Sequence, residues 1–351
     1  MIELRYGSSL SWHSLLVYGV TVVYDPPPDM NVRYHAEAFP PGTVLNSGQL
    51  TFNADDLAHA LFVTGRAPGD RARYGVVSAY EWVHRTSLIP AYVRRTFRGA
   101  RLTRSNLALE LDRSEKTALS YALGQAMTAI FCEWELATAY LMHVDRYANH
   151  FGINFGATQQ RSDLFGLAPS GWVVAEAKGR SSGVGSDLRE KMVAQKRSVS
   201  DINGQRPWIA LGCVAHFSPT TGYMQLSAFD PEEEDVETIS LQISMDRLTL
   251  AYYLPFVRAI EIGDEEEHPS VDMASLGPLG LRVGLLAQLR LRVRSAELGE
   301  LQGLHEDVTN ILSEWSETSD QVRTDGTMVA TSWTEAMSID DWKTFLTSDY
   351  E

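Results

Sequence analysis

RSDLFGLAPSGWVVAEAKGR, residues 161–180, is the stretch of sequence that decides the fold. It contains two short runs of extended, mostly apolar sequence, and Ala-Pro-Ser-Gly separates them. Proline, serine and glycine between such runs are typical of a tight turn, so the pattern predicts a β-hairpin. A turn centred between Pro169 and Ser170 pairs Asp163 with Glu176 across the two strands.

The second strand of this hairpin brings charged side chains together. Side chains alternate between the two faces of a strand, so Glu176 and Lys178 point to the same face. If Asp163 pairs with Glu176, their β-carbons lie about 5 Å apart on that face. Two carboxylates this close repel each other, and a divalent cation such as Mg²⁺ would offset the repulsion. With a lysine to hold or activate water, these residues predict a site for metal-assisted hydrolysis of a phosphodiester.

The arrangement resembles the PD-(D/E)xK nuclease superfamily, which contains many restriction enzymes and related DNA-processing nucleases. Asp163 matches the first acidic position, and Glu176, Ala177 and Lys178 match the E-x-K motif. Ser162 stands where the superfamily's name has proline. The resemblance implies that Asp163, Glu176 and the main-chain carbonyl of Ala177 bind Mg²⁺, with Mn²⁺ as a substitute. It also implies that Asp163, Glu176 and Lys178 are catalytic.

The resemblance covers about residues 114–229 and implies an α/β fold of mixed α+β type, with a restriction-endonuclease-like core. In such a core a mixed β-sheet is flanked by helices. The order of elements around the hairpin agrees: helix, hairpin, helix, strand, strand. Ser114 is the expected cap of the first helix, and Asp187 with Glu190 forms a capping box at the second. We predict helices at 114–143 and 187–202, hairpin strands at 162–167 and 172–178, and further strands at 208–217 and 223–229.

The second predicted helix carries a polar residue in an apolar stripe. The stripe follows steps of three and four residues through Leu188, Met192, Gln195, Val199 and Ile202. A buried amide needs a hydrogen-bond partner. Many members of the superfamily have glutamine or lysine here beside the acids, so the resemblance implies a catalytic role for Gln195; the alternative is a satisfied core amide. On the first helix, either Glu133 or Glu135 could supply a further acid.

Charge is unevenly distributed along the chain. The formal net charge of -15 argues against a nucleic-acid partner, but much of the acidity lies between Glu297 and Glu351. Between Trp82 and Leu109 there is no acidic residue, and this interval contains Arg85, Arg94, Arg95, Arg98, Arg101 and Arg104. We predict that the four at 94, 95, 98 and 101 contact nucleic acid. The alternatives are an ordinary solvated surface and an arginine face docked on the acidic segment.

Composition shifts divide the chain into three predicted regions. Residues 1–110 form an α+β region with the basic patch, 111–260 the nuclease-like core, and 261–351 an acidic, mostly helical region. In the last region we expect a largely helical pattern at 281–315, and the preceding helix at 246–262. The acidic cluster at 264–267 and the stretch at 318–331 are candidate linkers. A short β-like run at 19–24 lies near the start of the chain.

The function that these observations favour is a Mg²⁺-dependent nuclease, with DNA as the substrate and endonucleolytic cleavage as the mode. The superfamily suggests restriction or anti-phage defence as its role. The alternatives are a catalytically inactive nuclease-like module for nucleic-acid binding or assembly, and a scaffold whose acidic C-terminal region binds a protein partner. A homo-oligomer is compatible with each of these functions.

Several classes of protein are disfavoured. No run of 18 or more apolar residues occurs, and no basic segment precedes an apolar run at the N-terminus, so we expect no membrane partner and a cytoplasmic location. Cys132 and Cys213 lie in apolar surroundings without Cys-x-x-Cys or Cys/His spacing. They are expected in the core as small apolar side chains, which excludes a disulfide framework or a zinc site.

Overall fold

The structure is a computed structural model that describes residues 27–64, 77–144, 162–181, 183, 192, 199–230, 239–276, 280–315, 322–333 and 337. Among these residues it has seven helices and fifteen strands in a mixed α+β arrangement. The strands are β1 Met30–Glu37, β2 Ser47–Phe52, β3 Val93–Arg95, β4 Leu102–Arg104, β5 Ala139–His143, β6 Leu164–Ala168, β7 Gly171–Arg180, β8 Val199–Ile202, β9 Ile209–Phe217, β10 Met224–Phe229, β11 Ile239–Leu241, β12 Asp264–Glu266, β13 Val271–Ser275, β14 Leu281–Leu286 and β15 Thr327–Thr331. The helices are α1 Ala54–Thr64, α2 Val77–Tyr92, α3 Asn106–Glu110, α4 Arg113–Leu136, α5 Met245–Ile262, α6 Ala287–Glu297 and α7 Leu304–Glu314.

The largest sheet has seven strands in the order β2-β1-β10-β9-β7-β6-β5. In it β6 and β7 form the predicted hairpin, and Leu164 pairs with Ala175. One further step of the same register brings Asp163 opposite Glu176, so the predicted register is confirmed. On its other side β7 pairs in parallel with β9. The sheet is therefore mixed, as the sequence predicts.

Helix α4 covers one face of this sheet and lies against β7. It begins one residue before the predicted start because Asp112 is the cap; its carboxylate accepts a hydrogen bond from the N–H of Ser114. It ends where Ala137 adopts a left-handed conformation with φ of 50°, and the chain continues as β5. The predicted helix to residue 143 is thus wrong at its C-terminal end. The helix can approach β7 closely because Gly179 has no β-carbon. A β-carbon at this position would overlap the carbonyl oxygen of Ser120.

The N-terminal region is part of the main sheet. Strand β1 lies inside it, antiparallel to β2 and parallel to β10, with Arg33 beside Gln225. The predicted boundary at residue 110 does not separate two sheets, because hydrogen bonds between β1 and β10 join the region to the core. The β-like run at 19–24 lies outside the described residues.

The C-terminal region contains more strand than the sequence predicts. A second sheet has four strands in the order β12-β13-β14-β15, so the description "mostly helical" is wrong. Residues 281–286 form β14, and helices α6 and α7 follow with a break between them, as expected. The candidate linkers also contain strands: 264–266 is β12, and 327–331 is β15. The predicted helix at 246–262 is confirmed as α5.

A continuous core joins the two sheets through α1. Phe62 of α1 stacks on Trp82 of α2 at 5.2 Å between ring centres and contacts Phe256 of α5 at 4.8 Å. The main-chain N–H of Thr331 in β15 donates a hydrogen bond to Asp55. These contacts fix the four-stranded sheet against the helices of the main sheet.

Three further sequence predictions can be compared with the structure. Residues 199–202 form strand β8, parallel to β11, so the predicted helix does not extend to residue 202, and Val199 and Ile202 do not belong to its apolar stripe. The predicted capping box of Asp187 and Glu190 lies outside the described residues. Cys132 and Cys213 are buried free thiols, as expected. No helix among the described residues is long and apolar enough to cross a bilayer.

Candidate active site

Asp163, Glu176 and Lys178 come together on one face of the main sheet, as predicted. The Glu176 side chain is fully buried, whereas Asp163 is 16% and Lys178 is 30% exposed. The ammonium of Lys178 forms an ion pair with Glu176, and its Nζ lies 3.8 Å from Asp163 Oδ2. Neither oxygen of Glu176 accepts a well-directed hydrogen bond from a described residue. Glu176 is thus a buried carboxylate whose neighbours satisfy it only in part.

The backbone explains this geometry. Asp163 directly precedes β6, and its Oδ2 accepts a hydrogen bond from the N–H of Ala177 at 3.0 Å. That hydrogen bond links the Asp163 side chain to the opposite strand of the hairpin. Because side chains alternate along β7, Ala175 and Ala177 face α4 while Glu176 and Lys178 lie on the other face.

The surroundings shift the pKa values of both Glu176 and Lys178. Burial first, and then the Asp163 charge, raise the pKa of Glu176 to about 7 against the opposing effect of Lys178. Burial acts to lower the pKa of Lys178, but the charges of Glu176 and Asp163 together raise it above its ordinary value. A buried acid that ionises near neutral pH beside a charged lysine is typical of functional sites.

Apolar residues form the wall beside Glu176. On β9 its parallel neighbour is Gly212, and the ring of Phe229 occupies the space that a side chain on Gly212 would fill. Phe229 belongs to a small buried cluster with Met192 and Val214. Met192, from the predicted second helix, therefore packs on the same face as Glu176 and Lys178. The apolar wall is the physical reason for the strong desolvation of Glu176.

Sequence reasoning missed polar residues near the triad on both faces of the sheet. On α4, Gln125 is fully buried and donates from Nε2 to the hydroxyl of Tyr121 at 2.8 Å. That hydroxyl lies 3.4 Å from Nε2 of His143 on β5, and Tyr121 also acts to raise the pKa of Lys178. His216 on β9 pairs with Arg180, so it lies on the Glu176 face. The available signal was the pair Tyr121 and Gln125, one turn apart in the mostly apolar middle of α4.

Some predicted site residues lie elsewhere. Gln195 falls outside the described residues, so its catalytic role stays a prediction. The two acids considered on α4 are engaged at its far end: Glu133 forms an ion pair with Arg323, and Glu135 accepts a hydrogen bond from Tyr34. Neither can join Asp163, because α4 meets β7 about three turns earlier, roughly 15–20 Å away.

The predicted basic patch lies on and around a β-hairpin formed by β3 and β4. Arg94 is not part of the exposed surface of this patch. Its side chain is buried at the base of the hairpin and donates hydrogen bonds to the carbonyls of Pro90 and Val93. Arg95, Arg98 and Arg101 lie at or near the surface, and Arg98 is exposed.

The tip of this hairpin exposes an aromatic side chain. Phe97 is 90% exposed and adjoins Arg98. The hairpin is attached to the main sheet by a hydrogen bond from the N–H of Asn31 to the carbonyl of Ala100, and the guanidinium of Arg104 lies 4.5 Å from the ring centre of Phe217. An exposed phenylalanine beside arginine is suited to stacking on a base next to a phosphate contact.

The residues present fit a divalent cation with few protein ligands. Glu176 keeps both oxygens buried without a well-directed donor, and Asp163 adds a second carboxylate near the same lysine. Among the described residues, no three His, Cys, Asp or Glu side chains are grouped closely enough to hold a metal by themselves. Two carboxylates and a carbonyl suit Mg²⁺, which retains several waters and also binds phosphate.

Comparison of the chain with protein families, curated proteins and solved structures finds no match.

Proposed function

We propose that this protein is a metal-dependent nuclease of the PD-(D/E)xK type, built on a restriction-endonuclease-like core. The observation that carries the proposal is the fully buried Glu176 in an ion pair with Lys178, with Asp163 across the hairpin. A carboxylate without good hydrogen bonds in an apolar wall has no evident benefit for stability, because its burial disfavours the charged form. Such a residue is expected where chemistry needs it.

The order of elements supports the same proposal. Helix α4 precedes β5, β6 and β7 in the chain, and these strands and β9 are neighbours in the main sheet. The predicted order had a helix before the hairpin, and α4 fits that part of it. Strands β5 and β8 were not predicted, and most of the predicted second helix lies outside the described residues. Both acids lie on the central hairpin, where the sheet holds them rigidly.

Each residue of the triad has a distinct role. Asp163, Glu176 and the main-chain carbonyl of Ala177 would hold Mg²⁺, which polarises a phosphate oxygen and favours ionisation of water. Lys178 orients the attacking water and stabilises negative charge that develops on the phosphate. Since Lys178 is held by Glu176 before substrate arrives, little reorganisation is needed for reaction.

The β3–β4 hairpin supports nucleic acid as the substrate. Glu176 and Glu37 lie at one level of the sheet, since Glu176 pairs with Gly212, Gly212 with Phe229, and Phe229 with Glu37. The β3–β4 hairpin contacts β1 six residues before Glu37, at the end of the sheet where β7 ends. Glu176 and this contact are therefore separated by three strand spacings across the sheet and six residues along a strand, which is about 25 Å. That distance corresponds to about seven base-pair steps of a duplex.

The direct test is incubation with circular duplex DNA, linear duplex DNA, single-stranded DNA and RNA, each with Mg²⁺, Mn²⁺ or EDTA. We expect loss of the circular duplex with Mg²⁺ or Mn²⁺ and none with EDTA. Absence of cleavage in every mixture, together with absence of Mg²⁺ binding in calorimetry, would favour the inactive module instead. Restriction or defence, cytoplasmic location, an oligomer and a partner of the acidic region stay predictions of the sequence.

Asp163→Asn tests the metal site without substrate. The Asp163 charge raises the pKa of Glu176, so its removal should slightly raise the melting temperature in EDTA. Asparagine retains an oxygen that can accept from the N–H of Ala177. Wild type should gain about 2.7 kcal/mol from Mg²⁺ at a hundredfold excess over Kd, and the variant much less. A lower melting temperature in EDTA with a full response to Mg²⁺ would make Asp163 a structural residue.

The hairpin is tested by the double variant Arg95→Ala/Arg98→Ala. We expect weaker binding of duplexes of all sequences, and a plot of log affinity against log salt whose slope is smaller by about 2. Because the hairpin is far from the triad, cleavage of duplexes longer than about ten base pairs should suffer more than cleavage of shorter ones. Arg247→Ala/Arg294→Ala, on α5 and α6, is the matched control. An unchanged slope would indicate that the basic patch is an ordinary solvated surface and does not contact nucleic acid.

A further inference from the structure

A row of polar side chains crosses the main sheet on the face that carries Glu176. The register of four adjacent strands places one residue of each strand at the level of Arg180, and these side chains share the face because side chains alternate along each strand. The residues of this basic row are Arg180 of β7, His216 of β9, Gln225 of β10 and Arg33 of β1. Neighbouring strands are about 4.8 Å apart, so the row spans about 14 Å.

The β3–β4 hairpin extends the basic row with a further guanidinium. Its residue Arg101 pairs with Asn31, which precedes Arg33 by two residues and lies on the same face of β1. Burial lowers the pKa of Arg101, and the charge of Arg33 adds to the effect, so the two guanidinium groups lie close together. Like charges held side by side repel each other, and an anion beside both would offset the repulsion.

The arginines at the ends of this surface have no acidic partner within the described part of the chain. Arg33, Arg101 and Arg180 form no ion pair with any described residue. Arg33 and Arg180 are exposed, and Arg101 is partly exposed. By contrast, Arg292 of α6 forms an ion pair with Asp307 of α7. The positive charge of the basic row is therefore available to an external anion.

Acidic residues on the same face lie at the level of the triad. Glu176 and Glu37 share one level of the sheet, four residues from the basic row, and they pair with Lys178 and His35. Four residues of strand correspond to about 13 Å. The face thus changes from acidic at the proposed metal site to basic at the end where the hairpin is attached. A metal ion at the acidic end and a polyanion across the basic end would match this distribution of charge.

The composition of the row favours phosphate groups over other anions. Gln225 and His216 lie between the two arginines and can donate hydrogen bonds without adding charge. Burial lowers the pKa of His216, so its ring is neutral near pH 7. Arginine together with uncharged donors such as glutamine is a common set of phosphate contacts in nucleic-acid complexes. A small anion would occupy one position of a row about 14 Å long, whereas a polyanion with evenly spaced charges can contact its whole length.

We propose that the basic row binds the phosphate backbone of a duplex substrate and leads it across the sheet from the metal site to the β3–β4 hairpin. This inference rests on the proposed function, because it takes nucleic acid as the substrate. Glu176 and Arg33 are separated by three strand spacings and four residues of strand, or about 20 Å. That distance corresponds to about six nucleotide steps. Contacts of this kind position a substrate without reading its sequence.

The test measures binding of a fluorescent duplex of about 24 base pairs by anisotropy, in EDTA so that the metal site is empty. We expect Arg33→Glu/Arg180→Glu to weaken binding about tenfold or more, for every duplex sequence. Arg33→Lys/Arg180→Lys keeps both charges and should bind within about threefold of wild type. The matched control is Arg113→Glu/Lys116→Glu, which makes the same change of net charge on α4, the helix that covers the opposite face. It should bind like wild type.

Polyglutamate tests whether the occupant is an acidic protein segment instead, and thermal melting checks that each variant folds. We expect polyglutamate to compete with the duplex only weakly. Equal competition by polyglutamate, or wild-type affinity in the folded Arg33→Glu/Arg180→Glu variant, would overturn the inference. The second result, with cleavage retained, would leave the proposed nuclease intact. Weakened binding by that variant, with no cleavage by wild type in Mg²⁺, would instead support the basic row and refute the nuclease.

Discussion

Glu176→Gln should stabilise the metal-free protein at alkaline pH and abolish cleavage. Burial raises the pKa of Glu176 from 4.5 to about 7, so the folded state binds a proton that the unfolded state has lost. The free energy of unfolding therefore falls as pH rises from about 4.5 to 7, by about 3 kcal/mol in total. Glutamine has no charge to bury. The gain should be largest above pH 7 and below about 1 kcal/mol at pH 5.

The measurement is urea unfolding in EDTA at pH 5 and pH 8.5, for wild type and variant. Glu135→Gln provides a matched control, because it removes a carboxylate from a less buried position on α4. A gain of equal size at both pH values would show that the effect does not arise from ionisation of Glu176. Cleavage by Glu176→Gln at the wild-type rate would exclude this residue from the active site.

Lys178→Met should reduce the cleavage rate by about a thousandfold while Mg²⁺ binding persists. The lysine is not among the proposed metal ligands, and removal of one group that stabilises developing charge commonly lowers a rate by 10²–10³-fold. The charge of Lys178 lowers the pKa of Glu176, so its loss should also lower the free energy of unfolding at pH 8.5 in EDTA. Single-turnover cleavage and Mg²⁺ calorimetry measure the two effects separately.

Lys116→Met serves as the control for this prediction, since it removes a lysine from the first turns of α4. It should cleave at the wild-type rate. If Lys178→Met loses Mg²⁺ binding together with activity, its effect on cleavage cannot be separated from loss of the metal, and the assigned role is wrong. Activity retained near the wild-type level would remove Lys178 from the mechanism.

Local sequence was enough to predict the hairpin and its register. The turn residues around Pro169 and Ser170 fix the pairing of the strands, and alternation along β7 then places Glu176 and Lys178 on one face. The start of α4 was predicted to within one residue, but the predicted cap, Ser114, is wrong because Asp112 caps the helix. These features depend on residues close together in the chain, which is why a single sequence contains them.

Features that depend on distant residues were not predicted. β1 joins the main sheet through pairing of Arg33 with Gln225, and no local pattern indicates a partner so far away. In the second sheet, β14 was interpreted as helix because its apolar residues also fit a helical pattern. Strands β12 and β15 lie in stretches that were interpreted as linkers. Likewise, burial of Arg94 follows from the carbonyls of Pro90 and Val93 around it, whereas its sequence context shows only a run of arginines.

The position of β1 has a consequence for the order in which the chain acquires structure. During synthesis β1 and β2 are made early, and they can pair with each other at once. The parallel partner of β1 is β10, which begins at Met224, so one edge of β1 stays without its partner until most of the chain has been made. A strand with one apolar face and an open edge is a template for pairing between chains. Expression yield should therefore respond to chaperone supply and growth temperature more strongly than the final stability of the protein would suggest.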